Sequence, residues 1–432
     1  MRNLKDKLKQ ANSVQLTRGQ IINILLYMTI LIMPLLVVNV SIRRYSIAKI
    51  MFLYVVSIFL VINMILDKKI KFKKEYLVAI LFLITIFVSS IFSPYKEVAF
   101  WGSAARNEGF ITIMIYIILF IAASEYLKVS VKCINLILIV GSIHSFYGIL
   151  QFFGFDPVQK WLLGEILMKD SIGLIGNRNF MSTYVLLFLV LSMAMYIKSK
   201  GEKKYLIYFL VLFTSFLCTL TRSGWLSFGI VSFIGFIFTI NNKDYRKSII
   251  VLLIFIITIT IGMNILSDGK IIGRIQHTNE EIKTLSIKEE KTNSSINTRK
   301  KILELYIKVF KDSPFLGTGP DTFNMRIMDD YTKEMMELVI STGENTDKAH
   351  NEYLEYATSC SVFSLVLYVL LITSIIIKLI KNKSSNNKIL ILIISSYIIQ
   401  ALFNISVIAV APLFWILLGY SLKEVYEKTS KI

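Results

Sequence analysis

The sequence predicts an all-α, polytopic membrane protein of about twelve transmembrane helices, with one large helical extracytoplasmic loop between the ninth and tenth. Three observations predict it. Of the 432 residues, 55% are hydrophobic and only 18% charged, far from the balance of an ordinary soluble domain. Apolar runs of about 20 residues, enough to cross a hydrocarbon core roughly 30 Å thick, recur along the chain. Lysine and arginine are unevenly shared between alternate connections.

The apolar runs fall at 20–40, 47–66, 76–93, 110–126, 133–153, 179–197, 204–221, 223–241, 248–266, 357–380, 387–404 and 406–422. Each is expected to be helical, because an unpaired backbone amide in hydrocarbon costs several kcal/mol. With the N-terminus in the cytoplasm, an even number of spans returns the C-terminus there. The cytoplasmic connections then hold the lysine clusters Lys68, Lys69, Lys71, Lys73, Lys74 and Lys198, Lys200, Lys203, Lys204, whereas the short outer loops are poor in basic residues. This is the positive-inside bias. The net charge of +19 is therefore a topology signal and implies no nucleic-acid partner. Met1 to Gln20 reads as a basic tail feeding a span too long for a signal h-region, so no cleavable signal peptide is expected. Cys133, Cys218 and Cys360 have neither metal-ligand spacing nor a disulfide framework, and neither a metal nor a cofactor is expected.

Three units follow: a membrane domain of about nine spans over 1–266, an extracytoplasmic loop over 267–356, and a second membrane domain with a cytoplasmic tail over 357–432. The loop is far longer than a connection requires, and loops of that length are usually functional or disordered. Residues 277–298 are charged and polar. After Asn297 or Thr298 as cap, a helix is expected to run to about Lys311, with Ile302, Leu303, Tyr306, Val309 and Phe310 on one stripe. Asp312-Ser313-Pro314 ends it, Gly317-Thr318-Gly319-Pro320 turns, and a second amphipathic helix is expected at 328–340. The loop reads as a small helical cap. In 154–178, Val158, Trp161, Leu162 and Ile166 recur at helical spacing, as in an interfacial or packing helix.

Arginine is scarce, 11 against 37 lysines, so arginines in outer connections need a reason. Arg222 stands in Thr219-Leu220-Thr221-Arg222-Ser223-Gly224, a turn too short to reach far into water. A charge at that depth is functional by default; the plainer alternative is snorkelling to headgroups. Arg106 lies between Gly102 and Gly109, and Arg178 in Gly176-Asn177-Arg178-Asn179. Guanidinium groups suit bidentate phosphate binding, although each of these two is equally readable as a headgroup anchor; Arg43 and Arg44 are read as anchors. Of three histidines, His144 falls inside a span as a buried hydrogen-bonding residue, and His277 lies in the polar stretch of the loop. His350 sits where the cap meets the membrane, followed by Asn351, Glu352 and Tyr353. An imidazole of ordinary pKa about 6.5 can accept a proton from a sugar hydroxyl near neutral pH; the plainer alternative for a helix-start histidine is a cap or core residue.

These segments together resemble the O-antigen ligase and O-antigen polymerase superfamily. The likeness rests on Gly102…Arg106…Gly109, Gly176-Asn177-Arg178-Asn179, Thr219 to Gly224, and the loop elements Arg299…Pro314 to Pro320 and His350-Asn351-Glu352-Tyr353-Leu354, over roughly residues 76–380. Arg178 stands where the family has proline, so its role is inferred from charge alone. Ser361 and Ser364 stand where the family has glycines, and Thr221 replaces a common serine. The resemblance implies a bacterial cytoplasmic-membrane enzyme, a metal-independent lipid-linked oligosaccharide or polysaccharide transferase. Its donor would be an undecaprenyl-pyrophosphate-linked glycan, passed to a glycan, lipid or protein hydroxyl on the outer face. His350 would be general base, Arg106, Arg178 and Arg222 would hold the diphosphate, and Asn177, Asn179, Arg299, Asn351, Glu352 and Tyr353 would support them. The alternative is a lipid-linked glycan flippase or other secondary transporter. Carriers need ionisable groups near the bilayer midplane, where these spans hold almost none.

Overall fold

The computed structural model describes residues 16–40, 44–165, 169–276, 295–342, 348–382 and 384–429, and every regular element among them is helical. Arg43, Ile166 and His277 lie outside the described residues, as does the Arg299 side chain. In chain order α1 (Arg18–Leu31), α2 (Ile47–Asp67), α3 (Lys74–Ile91), a short α4 (Lys96–Trp101), α5 (Phe110–Tyr126) and α6 (Val131–Phe152) come first. A short α7 (Pro157–Leu163), α8 (Arg178–Lys198), α9 (Lys203–Cys218), α10 (Arg222–Thr239) and α11 (Arg246–Leu266) follow. The loop supplies α12 (Ser295–Asp312), α13 (Phe323–Asp330), α14 (Thr332–Thr342) and α15 (Glu352–Glu355). The chain closes with α16 (Val362–Lys381), α17 (Ser385–Ala401) and α18 (Ala411–Thr429).

A helix thus lies at each position where hydropathy places a span. Among the described residues, eight of these helices are long and apolar enough to cross a membrane: α1, α2, α3, α6, α8, α10, α11 and α16, the first and seventh counted with adjoining 3-10 turns. The others, α5, α9, α17 and α18, are shorter or more polar. Helices enclosed by neighbours contact protein rather than lipid, which relaxes the demand for apolarity. The most enclosed is α8, with 83% of its apolar window buried.

Among the boundaries that differ from the hydropathy reading, two have a clear local cause. The first helix stops at Leu31, not 40, because Pro34 cannot continue the hydrogen-bond ladder and a 3-10 turn over Met33–Leu35 follows. The last begins at Ala411, not 406. Residues 402–410 are mostly apolar yet irregular, largely buried beyond Leu402, and tied down by Asn404, whose amide donates to the Asn179 carbonyl (3.1 Å) and to Thr183 (2.9 Å) on α8. Irregular backbone is tolerated at membrane depth where protein encloses it.

The lysine-rich end of the bundle is laced by buried ion pairs. Glu75 of α3 receives Lys378 of α16 and, at 3.0 Å, the Tyr426 hydroxyl of α18, while Lys73 meets Glu125 of α5 at 2.9 Å. At the opposite end the loop forms a separate small core from Ile302, Leu305, Tyr306, Val309, Phe323, Ile327, Tyr331, Met335, Leu338 and Ala349. Leu305, rather than the expected Leu303, completes the α12 stripe, and Leu303 is exposed. The second expected helix is two, α13 and α14, meeting at Tyr331, whose ring turns inward and whose hydroxyl reaches Asp312. In α7, Leu162 is buried and Trp161 exposed, as in a helix lying on a surface.

Close packing of α5 on α18 depends on Gly419, where an added Cβ would lie 2.2 Å from the Phe120 carbonyl oxygen. Gly419→Ala is expected to cost about 1–3 kcal/mol or more by overpacking. Its thermal midpoint in detergent should drop clearly below that of Gly229→Ala, where an added Cβ meets nothing within 4 Å. Equal midpoints would refute this packing.

Candidate active site

The glycines of the first motif close a loop on itself. At Gly102 (φ +86°) an added Cβ would lie 2.4 Å from the Glu108 amide nitrogen, and at Gly109 one would lie 2.3 Å from the Gly102 nitrogen. So folded, the loop aims the backbone N–H groups of Ser103 and Glu108 at one oxygen of Asp321, at 2.6 and 3.2 Å. It also lays the Arg106 guanidinium over the Phe180 ring on α8, 5.5 Å from its centroid.

The second and third motifs are the N-termini of α8 and α10. Asn177 caps α8, its side-chain oxygen accepting from the Asn179 N–H at 2.8 Å, so Arg178 is the first helical residue. Arg178 faces Asp170 at 3.8 Å, both partly exposed. Arg222 likewise opens α10 after a left-handed Leu220 and the cap residue Thr221. The two ends touch: the Thr221 hydroxyl lies 3.4 Å from the Arg178 carbonyl and 3.3 Å from the Asn179 side-chain oxygen. Gly224 lets α10 meet α8, since a Cβ there would fall 2.2 Å from the Ser182 hydroxyl. Two parallel helix N-termini, each carrying an arginine, therefore lie side by side, and both dipoles favour an anion there.

His350 is half-buried and left-handed (φ +49°), directly before Asn351, which caps α15 by accepting from the Leu354 N–H at 3.0 Å. Beyond α15 the chain makes a buried π-helical turn, Tyr356–Cys360, a feature frequent at functional sites. The Gly317-Thr318-Gly319-Pro320 turn docks on it: the Thr318 and Gly319 N–H groups donate to the Ser359 carbonyl at 3.0 and 2.7 Å. A Cβ on Gly317 would lie 2.4 Å from that same oxygen. Ser361, in a glycine's place, caps α16 through the Ser364 N–H (3.0 Å), and Ser364 pairs with Thr85 of α3 at 2.9 Å.

Helix α17 joins the histidine and Arg222 motifs. The Tyr353 hydroxyl donates to the Ile398 carbonyl (2.8 Å) and Tyr397 to Glu352 (3.0 Å). Two residues on, Gln400 lies 3.4 Å from Ser223 and accepts from Ser227 at 3.0 Å. One stretch of α17 therefore holds both motifs.

Beneath His350 lies a buried charge cluster that residue-by-residue reading of the sequence left unassembled. The Lys348 ammonium bridges Asp321 (3.0 Å) and Glu355 (3.1 Å), and Glu108 and Glu352 line the same cavity of about 20 Å³, room for about one water. Tyr306 of the cap donates to Glu355 at 3.1 Å, and Tyr368 to Glu352 at 2.6 Å. Burial alone would pull the Lys348 ammonium down, but Asp321, Glu355 and Glu108 outweigh it and hold it well above the usual lysine range. Burial pushes Glu108 up, and pushes Glu352 up to about 7 despite hydrogen bonds from Tyr368 and Tyr397. Four carboxylates around one ammonium cannot all be ionised cheaply, and these shifts are the relief. Asp321, next to the glycine turn, was the signal available in the sequence. Tyr368 and Tyr397, hydroxyls inside apolar helices, were another. Arg326, 6% exposed on α13 and 3.8 Å from Asp330, was also missed. His144, in contrast, is as expected, accepting from the Leu174 N–H at 2.8 Å. Among the described residues no His, Cys, Asp and Glu group has metal-site geometry.

A raised carboxyl favours the folded state when protonated. The Glu352 contribution is fully present below the unfolded value of about 4.3 and is lost as pH rises through about 7. The thermal midpoint in detergent is expected to fall from about pH 5.5 to about pH 8, and Glu352→Gln to flatten that fall. An undiminished fall in the variant would assign it elsewhere.

Residues 207–369 match the family described as O-Antigen ligase. That segment runs from α9 through the Arg222 motif, the cap and the His350 motif into α16. A Haemophilus influenzae protein described only as uncharacterized is 25% identical over 167 residues, 38% of this chain. The chain spans 40% of that relative's own length. The Arg106 and Arg178 motifs precede the matched segment and join it through the Asp321 and Thr221 contacts. Over residues 207–369, and over that segment only, the chain is similar to the O-antigen ligase family.

Proposed function

We propose that this protein transfers a glycan from an undecaprenyl-pyrophosphate-linked donor to a hydroxyl of a glycan, lipid or protein acceptor at the outer membrane face. The observation that carries the reading is the direct contact between the N-termini of α8 and α10, which sets Arg178 and Arg222 side by side on the end of the bundle that also holds His350.

The chemistry follows from charge. His350 takes the proton of the acceptor hydroxyl, whose oxygen forms a bond to the anomeric carbon. The bond from that carbon to the diphosphate oxygen breaks, and its electron pair leaves with undecaprenyl diphosphate. Negative charge grows on the leaving group, and positioned guanidinium groups with helix N-termini stabilise it in a partly dehydrated site. A single displacement inverts the anomeric centre. In this reading Arg222 and Arg178 hold the diphosphate, and Arg106, which lies over Phe180 at the start of α8, supports its flank. Asn177, Asn179, Asn351, Glu352 and Tyr353 support them through caps and hydrogen bonds to neighbouring helices.

In proteoliposomes supplied with lipid-linked donor and acceptor, His350→Ala is expected to lower the transfer rate about 100- to 10,000-fold with donor KM little changed. Near-normal transfer by that variant would remove the general base from the account. Arg222→Ala should cost about 100- to 1,000-fold, and Arg222→Lys should recover little, because a point charge does not replace a bidentate fork. Full recovery by lysine would reduce Arg222 to a headgroup anchor.

A further inference from the structure

At the lysine-rich end, remote from the arginine motifs, α8, α10, α11 and the start of α17 enclose a groove of about 890 Å³. It exists because α11 stands off from the bundle, with only 11% of its apolar window buried. The walls are Phe233, Phe236, Leu252 and Ile256, with Lys198 and Lys388 among the lining residues. From Tyr245 at the mouth to Ile256, a helical rise gives a depth of about 16 Å, which matches half of a hydrocarbon core of roughly 30 Å. The groove is as deep as one leaflet.

The charges at its end are uncompensated. Lys198 donates to the Asn386 side-chain oxygen at 2.6 Å, and Lys388 to the Phe238 carbonyl at 3.3 Å, while lying 5.7 Å from the Phe238 ring centroid. Both partners are neutral, and no carboxylate lines the groove among the described residues. Asp244, the acid of the adjoining turn, is engaged by Lys200 at 2.6 Å. A half-membrane-deep apolar slot with two free positive charges, at the end that positive-inside logic puts in the cytoplasm, is complementary to one class of molecule.

We propose that this groove binds an anionic glycerophospholipid of the cytoplasmic leaflet, its phosphate at Lys198 and Lys388 and an acyl chain against Phe233, Phe236 and Leu252. Asn241, Asn242 and Ser385 at the rim offer hydrogen bonds to the glycerol esters. The site is independent of the catalytic reading and rests only on the membrane orientation.

The test uses the full-length protein in phosphatidylcholine vesicles carrying trace spin-labelled phosphatidylglycerol or, separately, spin-labelled phosphatidylcholine, and compares the motionally restricted fractions. The wild type is expected to prefer phosphatidylglycerol, with the preference falling as salt is raised. In Lys198→Gln/Lys388→Gln it should drop roughly fivefold per lysine. Gly235→Leu, whose added Cβ meets only Leu392 at 3.5 Å, should fill the wall and reduce the restricted fraction at an unchanged thermal midpoint. Equal retention of the two lipids by the wild type, or an undiminished preference in both variants, would overturn the proposal. So would displacement of the bound lipid by an uncharged polyprenol.

Discussion

The loop-bearing end of this protein is organised by a single buried ammonium. Lys348 joins Asp321, just after the glycine turn of the cap, to Glu355, at the end of α15 and shortly before α16. Asp321 in turn receives two backbone N–H groups of the Gly102–Gly109 loop. Three segments far apart in sequence thus share one charge centre, with Lys348 and Glu352 almost wholly buried around it. Breaking such a pair by removing one partner typically costs about 3–5 kcal/mol, because the other charge is left buried and alone. His350, two residues beyond Lys348, takes its position from this clasp and from the Asn351 cap that follows.

The helices were legible because hydrocarbon imposes one demand everywhere: each backbone polar group must be satisfied within its own segment. That demand writes long apolar runs, and the observed helices fall on them. It says nothing about irregular backbone enclosed by protein, so 402–404 and 406–410 read as helix although Asn404 holds the stretch open. Proline was the overlooked cue at Pro34. In the cap, amphipathic spacing found α12 but placed Leu303 inward in place of Leu305, which lies about 160° away round the helix; the buried stripe is the one through Ile302, Leu305, Tyr306 and Val309.

The site was legible in part. Arginines in outer connections and a histidine at a membrane boundary are costly residue types in costly places, and their scarcity made them visible. Their mutual contacts were not visible, because they run through ordinary residues such as Thr221, Gln400 and Tyr353 that carry no compositional signal. The carboxylate cluster was hidden for a related reason: its members come from three separate segments and only burial makes them a unit. The two ends of the bundle differ in charge. Lysine ion pairs gather at one end, and arginines on helix N-termini at the other.

That the arginine end grips a lipid diphosphate is best tested by mapping where a photoreactive undecaprenyl diphosphate analogue attaches to the purified, reconstituted protein. The account predicts adducts on the peptides holding Arg106, Arg178 and Asn179, and Thr221 and Arg222, suppressed by excess unlabelled undecaprenyl diphosphate. Adducts confined to the lysine-rich end, or labelling indifferent to that competitor, would contradict it.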